Sequence, residues 1–135
     1  MREYRNIKLI LAYDGSVYYG WQKQKNGLTV QNVLESALRR ILGEKINIIS
    51  SGRTDAGVHA EYQVVNFKTK SSLSSGRIKK ALNSILPGEV RVKKSEQVKL
   101  SFHARYSARS KIYRYRIFTG DFVSPFISRY VWHLP

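Results

Sequence analysis

The sequence predicts an α+β fold in which an antiparallel sheet carries two helices on one face. Apolar residues alternate where we expect strands, over 7–12, 46–50, 63–68 and 89–94. They recur at every third or fourth position where we expect helices, over 30–42 and 78–86. The elements therefore follow the order β-α-β-β-α-β, which is the ferredoxin-like split pattern and leaves the second face of the sheet open.

The first helix has the clearest boundaries. Thr29 is a residue type that caps helix N-termini, and Gly43 stands where a helix C-terminal glycine belongs.

Beyond the ferredoxin-like pattern, alternation predicts one extra strand over 112–118, with Tyr113 and Tyr115 on the same face.

Composition limits the class of protein. The 135 residues are enough for one compact domain, and 42% hydrophobic residues can supply its core. The absence of cysteine excludes disulfides, thiolate catalysis and cysteine-ligated zinc. No apolar run reaches the roughly 20 residues of a membrane span, and the N-terminus lacks a signal peptide's pattern. We therefore expect a cytoplasmic protein without a membrane partner. The apolar end over 132–135 predicts a piece of a larger protein.

Charge indicates the partner. Lys and Arg number 24 against 9 Asp and Glu, a net charge of +15. The stretch 91–116 holds nine basic residues against the single Glu96, with aromatic residues interleaved. Basic side chains neutralise phosphates and aromatic rings stack on unpaired bases, so this stretch predicts RNA binding. The alternative is a solvated basic face on a structural protein. Because residues 62–67 lack the aromatic pattern of an RNA-recognition strand, another domain could instead cover the open sheet face.

The strongest candidate for chemistry is Asp55. It lies in the loop 52–60, GRTDAGVHA, where two glycines permit unusual backbone angles and close approach of a substrate. Arg53 is two residues away, and we expect it to pair with the carboxylate and keep it ionised, as covalent or general-base chemistry requires. The alternative is an arginine–aspartate pair that braces a tight loop. Asp14, followed by Gly15, is interpreted as a turn former.

The sequence contains no motif for binding a metal or the phosphates of a nucleotide. The three histidines lack zinc-binding spacing, so we expect no metal site. The glycines do not form a P-loop, and no nucleophile-elbow pattern occurs.

Six motifs together resemble the tRNA pseudouridine synthase A family. They are YDGSVYYGWQKQ over 13–24, TVQ over 29–31, GRTDAGVHA over 52–60, LPG over 86–88, FHAR over 102–105 and KIYRY over 111–115. They occur in the family's order and cover essentially the whole chain. The nine-residue GRTDAGVHA motif is the most specific of them.

The resemblance implies an isomerase that converts uridine to pseudouridine in the tRNA anticodon stem-loop, at tRNA positions 38 to 40, with no cofactor and no metal. Asp55 then matches the catalytic aspartate, Arg53 its arginine partner, and Tyr113 the tyrosine that stacks on the target uracil. His59 and Arg105, within matching motifs, are expected to bind substrate as well. The partner is tRNA, bound across a homodimer.

The resemblance also implies a division of the chain. Family members consist of two ferredoxin-like halves, so residues 1–110 would be the N-terminal domain and 111–135 the start of a truncated second half. We therefore expect little activity from the chain alone. The alternative is a non-catalytic RNA-binding module with a ferredoxin-like sheet.

Overall fold

A computed structural model describes residues 3–135. Its helices and strands follow the order β1 (Arg5–Tyr13), α1 (Val30–Leu42), β2 (Ile49–Ser50), β3 (Ala60–Thr69), α2 (Ser75–Ile85), β4 (Val90–Val98), β5 (Ile117–Phe118) and β6 (Trp132–His133). Two short 3₁₀ turns lie at Gly15–Val17 and Ser128–Tyr130.

The main sheet has the strand order β2-β3-β1-β4, and every neighbouring pair is antiparallel. Leu9 at its centre faces Val65 on one side and Ser95 on the other. This is the order of a ferredoxin-like unit, so the predicted fold class is confirmed.

The core lies between the sheet and the two helices. Ile7, Leu9 and Leu11 alternate along β1 and are fully buried. They share one hydrophobic cluster with Leu34 and Leu38 of α1 and with residues of α2. Each such side chain contributes about 1.5–3 kcal/mol on burial. The prediction that both helices cover one face is confirmed.

The helix ends follow local side-chain chemistry. The Thr29 hydroxyl accepts a hydrogen bond from the Asn32 backbone N–H at 3.2 Å, and Gly43 ends α1 with a φ of 68°. The second helix begins three residues earlier than predicted, because the Ser74 hydroxyl accepts a bond from the Arg77 N–H at 3.3 Å.

The strand predicted over 46–50 is paired only at its end. Ile46 and Ile48 are buried as the alternation predicts. The backbone N–H of Ile48, however, donates to the Glu35 carboxylate at 3.2 Å instead of to a strand. A helix side chain thus replaces the expected sheet partner.

The extra strand predicted over 112–118 is wrong for most of its length. Only Ile117–Phe118 pairs, in parallel, with Trp132–His133. Residues 111–116 are exposed, and within residues 3–135 only the last of them has a strand neighbour, since the Arg116 carbonyl accepts a bond from the Trp132 N–H at 2.7 Å. Alternation alone does not make a strand, because a strand needs a backbone partner. The domain boundary at residue 110 stays a prediction. No helix within residues 3–135 is long and apolar enough to cross a membrane.

Candidate active site

The segment 52–60, which leads from β2 to the first residue of β3, presents Asp55 to solvent; we call it the aspartate loop. A turn forms its tip, in which the Val58 N–H donates to the Asp55 carbonyl at 3.1 Å. Gly57 occupies the third position of this turn with a φ of 81°, which favours glycine. The turn holds the backbone of Asp55 in place, and its side chain is exposed to solvent.

A second loop, residues 14–21, is hydrogen-bonded to the aspartate loop; we call it the brace loop. The Gly57 N–H donates to the Tyr18 carbonyl at 3.3 Å, and the Trp21 N–H donates to the Thr54 carbonyl at 3.0 Å. Because Tyr18 and Trp21 are buried in the core, these bonds tie the aspartate loop to the hydrophobic core.

Two glycines of the brace loop let the backbones approach this closely. A methyl group at Gly15 would overlap the carbonyl of Val58. At Gly20 it would lie 2.6 Å from the Thr54 carbonyl oxygen, and the φ of this glycine is 80°. The glycines at these two positions of the YDGSVYYGW motif therefore shape the aspartate loop.

Tyr13 connects the end of β1 to the aspartate loop. Its hydroxyl lies 2.8 Å from the Thr54 hydroxyl, and its ring stacks 6.2 Å from that of Trp21. Burial raises the pKa of Tyr13, against a smaller opposite effect of the bond with Thr54, so the hydroxyl stays protonated at neutral pH.

Asp14 is a turn former, as predicted. Its carboxylate accepts a bond from the Ser16 N–H at 3.0 Å and caps the 3₁₀ turn. It also accepts a bond of 2.7 Å from the Tyr130 hydroxyl. Burial would raise the pKa of Asp14, but the bonds from Ser16 and Tyr130 outweigh it and lower that pKa to about 2. The bond to Asp14 raises the pKa of Tyr130 in turn.

His59 is held within the same cluster. Its Nδ1 accepts a bond from the Gly15 N–H at 2.9 Å and lies 3.2 Å from the Asp14 carboxylate. Its ring lies 5.2 Å from that of Tyr130, and its Nε2 lies 3.4 Å from the carbonyl of Arg129. Both ring nitrogens thus contact protein atoms. The expectation that His59 binds substrate stays a prediction.

The predicted ion pair between Arg53 and Asp55 does not form within the described part of the chain. The Thr54 hydroxyl contacts the Tyr13 hydroxyl, whereas the two sequence neighbours of Thr54, Arg53 and Asp55, are exposed. Water solvates the two charges there, so pairing gains little free energy. Both side chains are therefore free to contact a bound molecule, and the alternative of a pair that braces the loop is not supported.

Tyr113 lies on an exposed segment, residues 111–116, that runs beside the aspartate loop; we call it the tyrosine segment. At one end, the Lys111 ammonium lies near Gly52, 3.5 Å from the position that a Cβ atom on this glycine would occupy. At the other end, two arginines pair with Glu61, one residue after the loop. Tyr113 is 75% exposed between these contacts. The structure thus places the tyrosine segment between the two ends of the aspartate loop.

Arg105 is held elsewhere. A buried pair of amides fixes the chain just before it: Asn6 Nδ2 donates to the Phe102 carbonyl at 2.9 Å, and the Ala104 N–H donates to Asn66 Oδ1 at 2.8 Å. The two amides bond each other at 3.0 Å. Asn6 lies near the start of β1, whereas Tyr13, which contacts Thr54 of the aspartate loop, lies at its end, about 20 Å away at the usual rise per residue.

The structure brings Asp55, Arg53 and His59 together on one loop, with Tyr113 alongside and Arg105 apart. Within residues 3–135, no three His, Asp or Glu side chains come together as a metal site. The arrangement offers an exposed carboxylate on a hydrogen-bonded loop that also carries Arg53, and the tyrosine segment contacts the two ends of this loop.

Sequence reasoning missed several supporting residues. Tyr13 continues the alternation of buried residues along β1, and this pattern predicts that its ring lies in the core. The pattern does not predict the hydrogen bond between its hydroxyl and that of Thr54. Gln63, also buried, faces the start of the aspartate loop, where the Ser51 hydroxyl lies 3.3 Å from its amide oxygen. Tyr130 carried no sequence signal for its bond to Asp14, because 116 residues separate the two.

Comparison with known proteins identifies one family. A family model described as tRNA pseudouridine synthase matches residues 9–107. Proteins named tRNA pseudouridine synthase A are similar to the chain: it is 47% identical over 130 residues to one from Thermoanaerobacter sp. (strain X514), covering 96% of the chain and 53% of that relative. It is 48% identical to one from Caldicellulosiruptor saccharolyticus, over 97% of the chain and 54% of the relative.

A third relative, from Citrifermentans bemidjiense, is 49% identical over 96% of the chain and 52% of its own length. The chain thus spans about half the length of the curated relatives it matches. The region matched by the family model includes the aspartate loop, the brace loop, the second half of β1 and the other five elements of the ferredoxin-like unit. The chain belongs to the tRNA pseudouridine synthase family.

Proposed function

We propose that this chain carries the catalytic loop of an isomerase that converts uridine to pseudouridine in the anticodon stem-loop of tRNA, at positions 38 to 40. The observation that carries the proposal is the exposed Asp55 on a loop that buried residues hold in place. Support also comes from the family to which the chain belongs.

The reaction breaks the bond between N1 of uracil and C1′ of ribose, turns the detached base and joins its C5 to C1′. The hydrogen on C5 leaves as a proton and N1, freed from C1′, takes up a proton, so the product is an isomer of the substrate and no electron donor or acceptor is required. Asp55 is the proposed catalytic residue. An ionised carboxylate can attack C1′, add to C6 of the base, or remove the proton from C2′.

The target base must leave its helix before Asp55 can reach it, at a cost of a few kcal/mol. We propose that Tyr113 stacks on the extruded uracil and that Arg53 contacts the RNA while the base is out. Both side chains are exposed: Arg53 lies two residues from Asp55, and Tyr113 lies on the segment that contacts both ends of the aspartate loop. An aromatic ring is a good surface for an unstacked base, and a guanidinium readily binds phosphate. His59 and Arg105 are proposed as further substrate contacts.

We propose that turnover requires the second half present in the relatives. The chain spans about 53% of the Thermoanaerobacter relative, and an active site that is open on one side admits water to reactive intermediates. The complete enzyme is further proposed to work as a homodimer in the cytoplasm, as the resemblance of its motifs implies.

The test uses a chimera in which the chain replaces the matching half of the Thermoanaerobacter relative. Tritium release from tRNA labelled at C5 of uridine reports the reaction, since C5 loses its hydrogen. Asp55→Asn is expected to lower the release rate about 100-fold or more. The matched control is Asp121→Asn, which removes an exposed carboxylate elsewhere and is expected to keep full activity.

The unmodified relative serves as the positive control, and thermal unfolding confirms that each chimera folds. A folded chimera with intact Asp55 that releases no tritium would favour the alternative, a non-catalytic RNA-binding module. Normal release from the Asp55→Asn chimera would show that another group performs the chemistry.

A further inference from the structure

Glu61 sits between two arginines of the tyrosine segment. Its Oε2 lies 3.4 Å from Arg114 Nη1, and its Oε1 lies 3.3 Å from Arg116 Nη2. Each carboxylate oxygen thus serves one guanidinium group. Because Arg114 and Arg116 are two residues apart and reach the same carboxylate, their side chains share one side of the segment.

A third cation adjoins this arrangement. Lys93 of β4 donates to the backbone carbonyl of Glu61 at 3.2 Å, and its ammonium lies 3.7 Å from the centre of the Tyr62 ring. Two positive charges therefore pair with the Glu61 carboxylate, and a third contacts the backbone of the same residue. Glu61 has two exposed oxygens and one negative charge, which are the features through which a phosphodiester binds arginines.

The pairs around Glu61 are easily opened. The side chains of Arg114, Arg116 and Glu61 are 62%, 55% and 60% exposed. Ion pairs this exposed contribute little to stability, because water solvates the separated charges almost as well. A ligand with higher negative charge density can therefore replace the carboxylate without disturbing the fold.

We propose that Arg114 and Arg116 bind a backbone phosphate of RNA, and that the carboxylate of Glu61 occupies this place until the phosphate displaces it. The proposal deepens the proposed function, on which it rests for the choice of RNA as ligand. Glu61 then lowers the affinity for an RNA that brings a phosphate to Arg114 and Arg116, because this phosphate must first displace the carboxylate.

The test is RNA binding by the whole 135-residue chain, measured by fluorescence anisotropy with a labelled 17-nucleotide RNA hairpin at 50 mM salt. Glu61→Gln keeps the shape of the side chain and removes its charge. Because the competing carboxylate is gone, we expect the Kd to fall about three- to tenfold. Weaker binding, or an unchanged Kd, would overturn the proposal.

Two controls separate displacement from a general change in charge. Glu89→Gln changes the net charge equally, at an exposed carboxylate that forms no ion pair within the described residues. It is expected to change the Kd less than twofold. In a chain that carries Arg114→Gln and Arg116→Gln, the gain from Glu61→Gln is expected to vanish. An equal gain from Glu89→Gln, or a gain that survives without the arginines, would contradict the assignment.

A free anion could meet the same arginines. Inorganic phosphate at 10 mM is therefore compared with sodium chloride of equal ionic strength. We expect both to weaken binding equally; selective loss of the Glu61→Gln gain with phosphate would show that the site takes free phosphate instead of an RNA strand. The assay measures binding without turnover, so its outcome is independent of whether Asp55 is catalytic. Glu61→Ala provides a second variant with the same expected direction.

Discussion

Gly20→Ala tests whether close backbone packing shapes the aspartate loop. Gly20 has a φ of 80°, and the new methyl group would lie 2.6 Å from the Thr54 carbonyl oxygen. The left-handed backbone costs an alanine roughly 1–2 kcal/mol. Overpacking against backbone that cannot move freely adds about 1–3 kcal/mol. We therefore expect the free energy of unfolding to fall by about 2–5 kcal/mol.

The matched control is Gly43→Ala, at the end of α1. Gly43 has a similar φ of 68°, but nothing lies within 4 Å of the position of the new methyl group. Only the backbone cost applies, so the expected loss is about 1–2 kcal/mol. Urea unfolding of the 135-residue chain, followed by far-ultraviolet circular dichroism, gives both values. Equal losses in the two variants would refute the reasoning, since contact with Thr54 would then add nothing.

Three further variants probe the support of the site. Tyr13→Phe removes the 2.8 Å bond to the Thr54 hydroxyl, and is expected to lower the free energy of unfolding by about 1 kcal/mol in urea titration. Asp14 has a pKa lowered from 3.8 to about 2, so its contribution to stability is complete above pH 4 and is lost as the pH falls towards 2. In Asp14→Asn, we expect the acid-induced loss measured by urea titrations between pH 5 and 2 to shrink by at most about 2 kcal/mol. Asn66→Ala leaves its buried partner Asn6 with an unpaired oxygen and is expected to cost about 1–3 kcal/mol, measured as a lower urea midpoint. A loss below about 0.5 kcal/mol in Asn66→Ala would show that the amide pair does not hold this part of the chain.

The elements that the sequence predicts well are those whose burial follows a simple period. Leu34 and Leu38 repeat at helical spacing, and Leu9 and Leu11 alternate, because each packs against the same core. For the strand predicted over 46–50, the sequence predicts the burial of the alternating side chains correctly. It does not predict that the Ile48 N–H donates to a carboxylate on a helix instead of to a strand. Periodicity reports burial and says little about backbone partners.

The site shows the same limit. Asp55 could be singled out because glycines flank it in the sequence, a local signal. The bond between Tyr13 and Thr54 joins residues 41 positions apart, so only the fold reveals it. Arg53 illustrates the opposite error: it is near Asp55 in sequence, yet exposure leaves the two charges unpaired.

The central claim is that Asp55 performs the isomerisation of uridine, and nucleoside chromatography of digested RNA tests it most directly. The chimera with the Thermoanaerobacter relative is incubated with unmodified tRNA, which is then digested and its pseudouridine measured. We predict that pseudouridine forms when Asp55 is present and that none is detected with Asp55→Ala. Equal pseudouridine from both chimeras would contradict the claim.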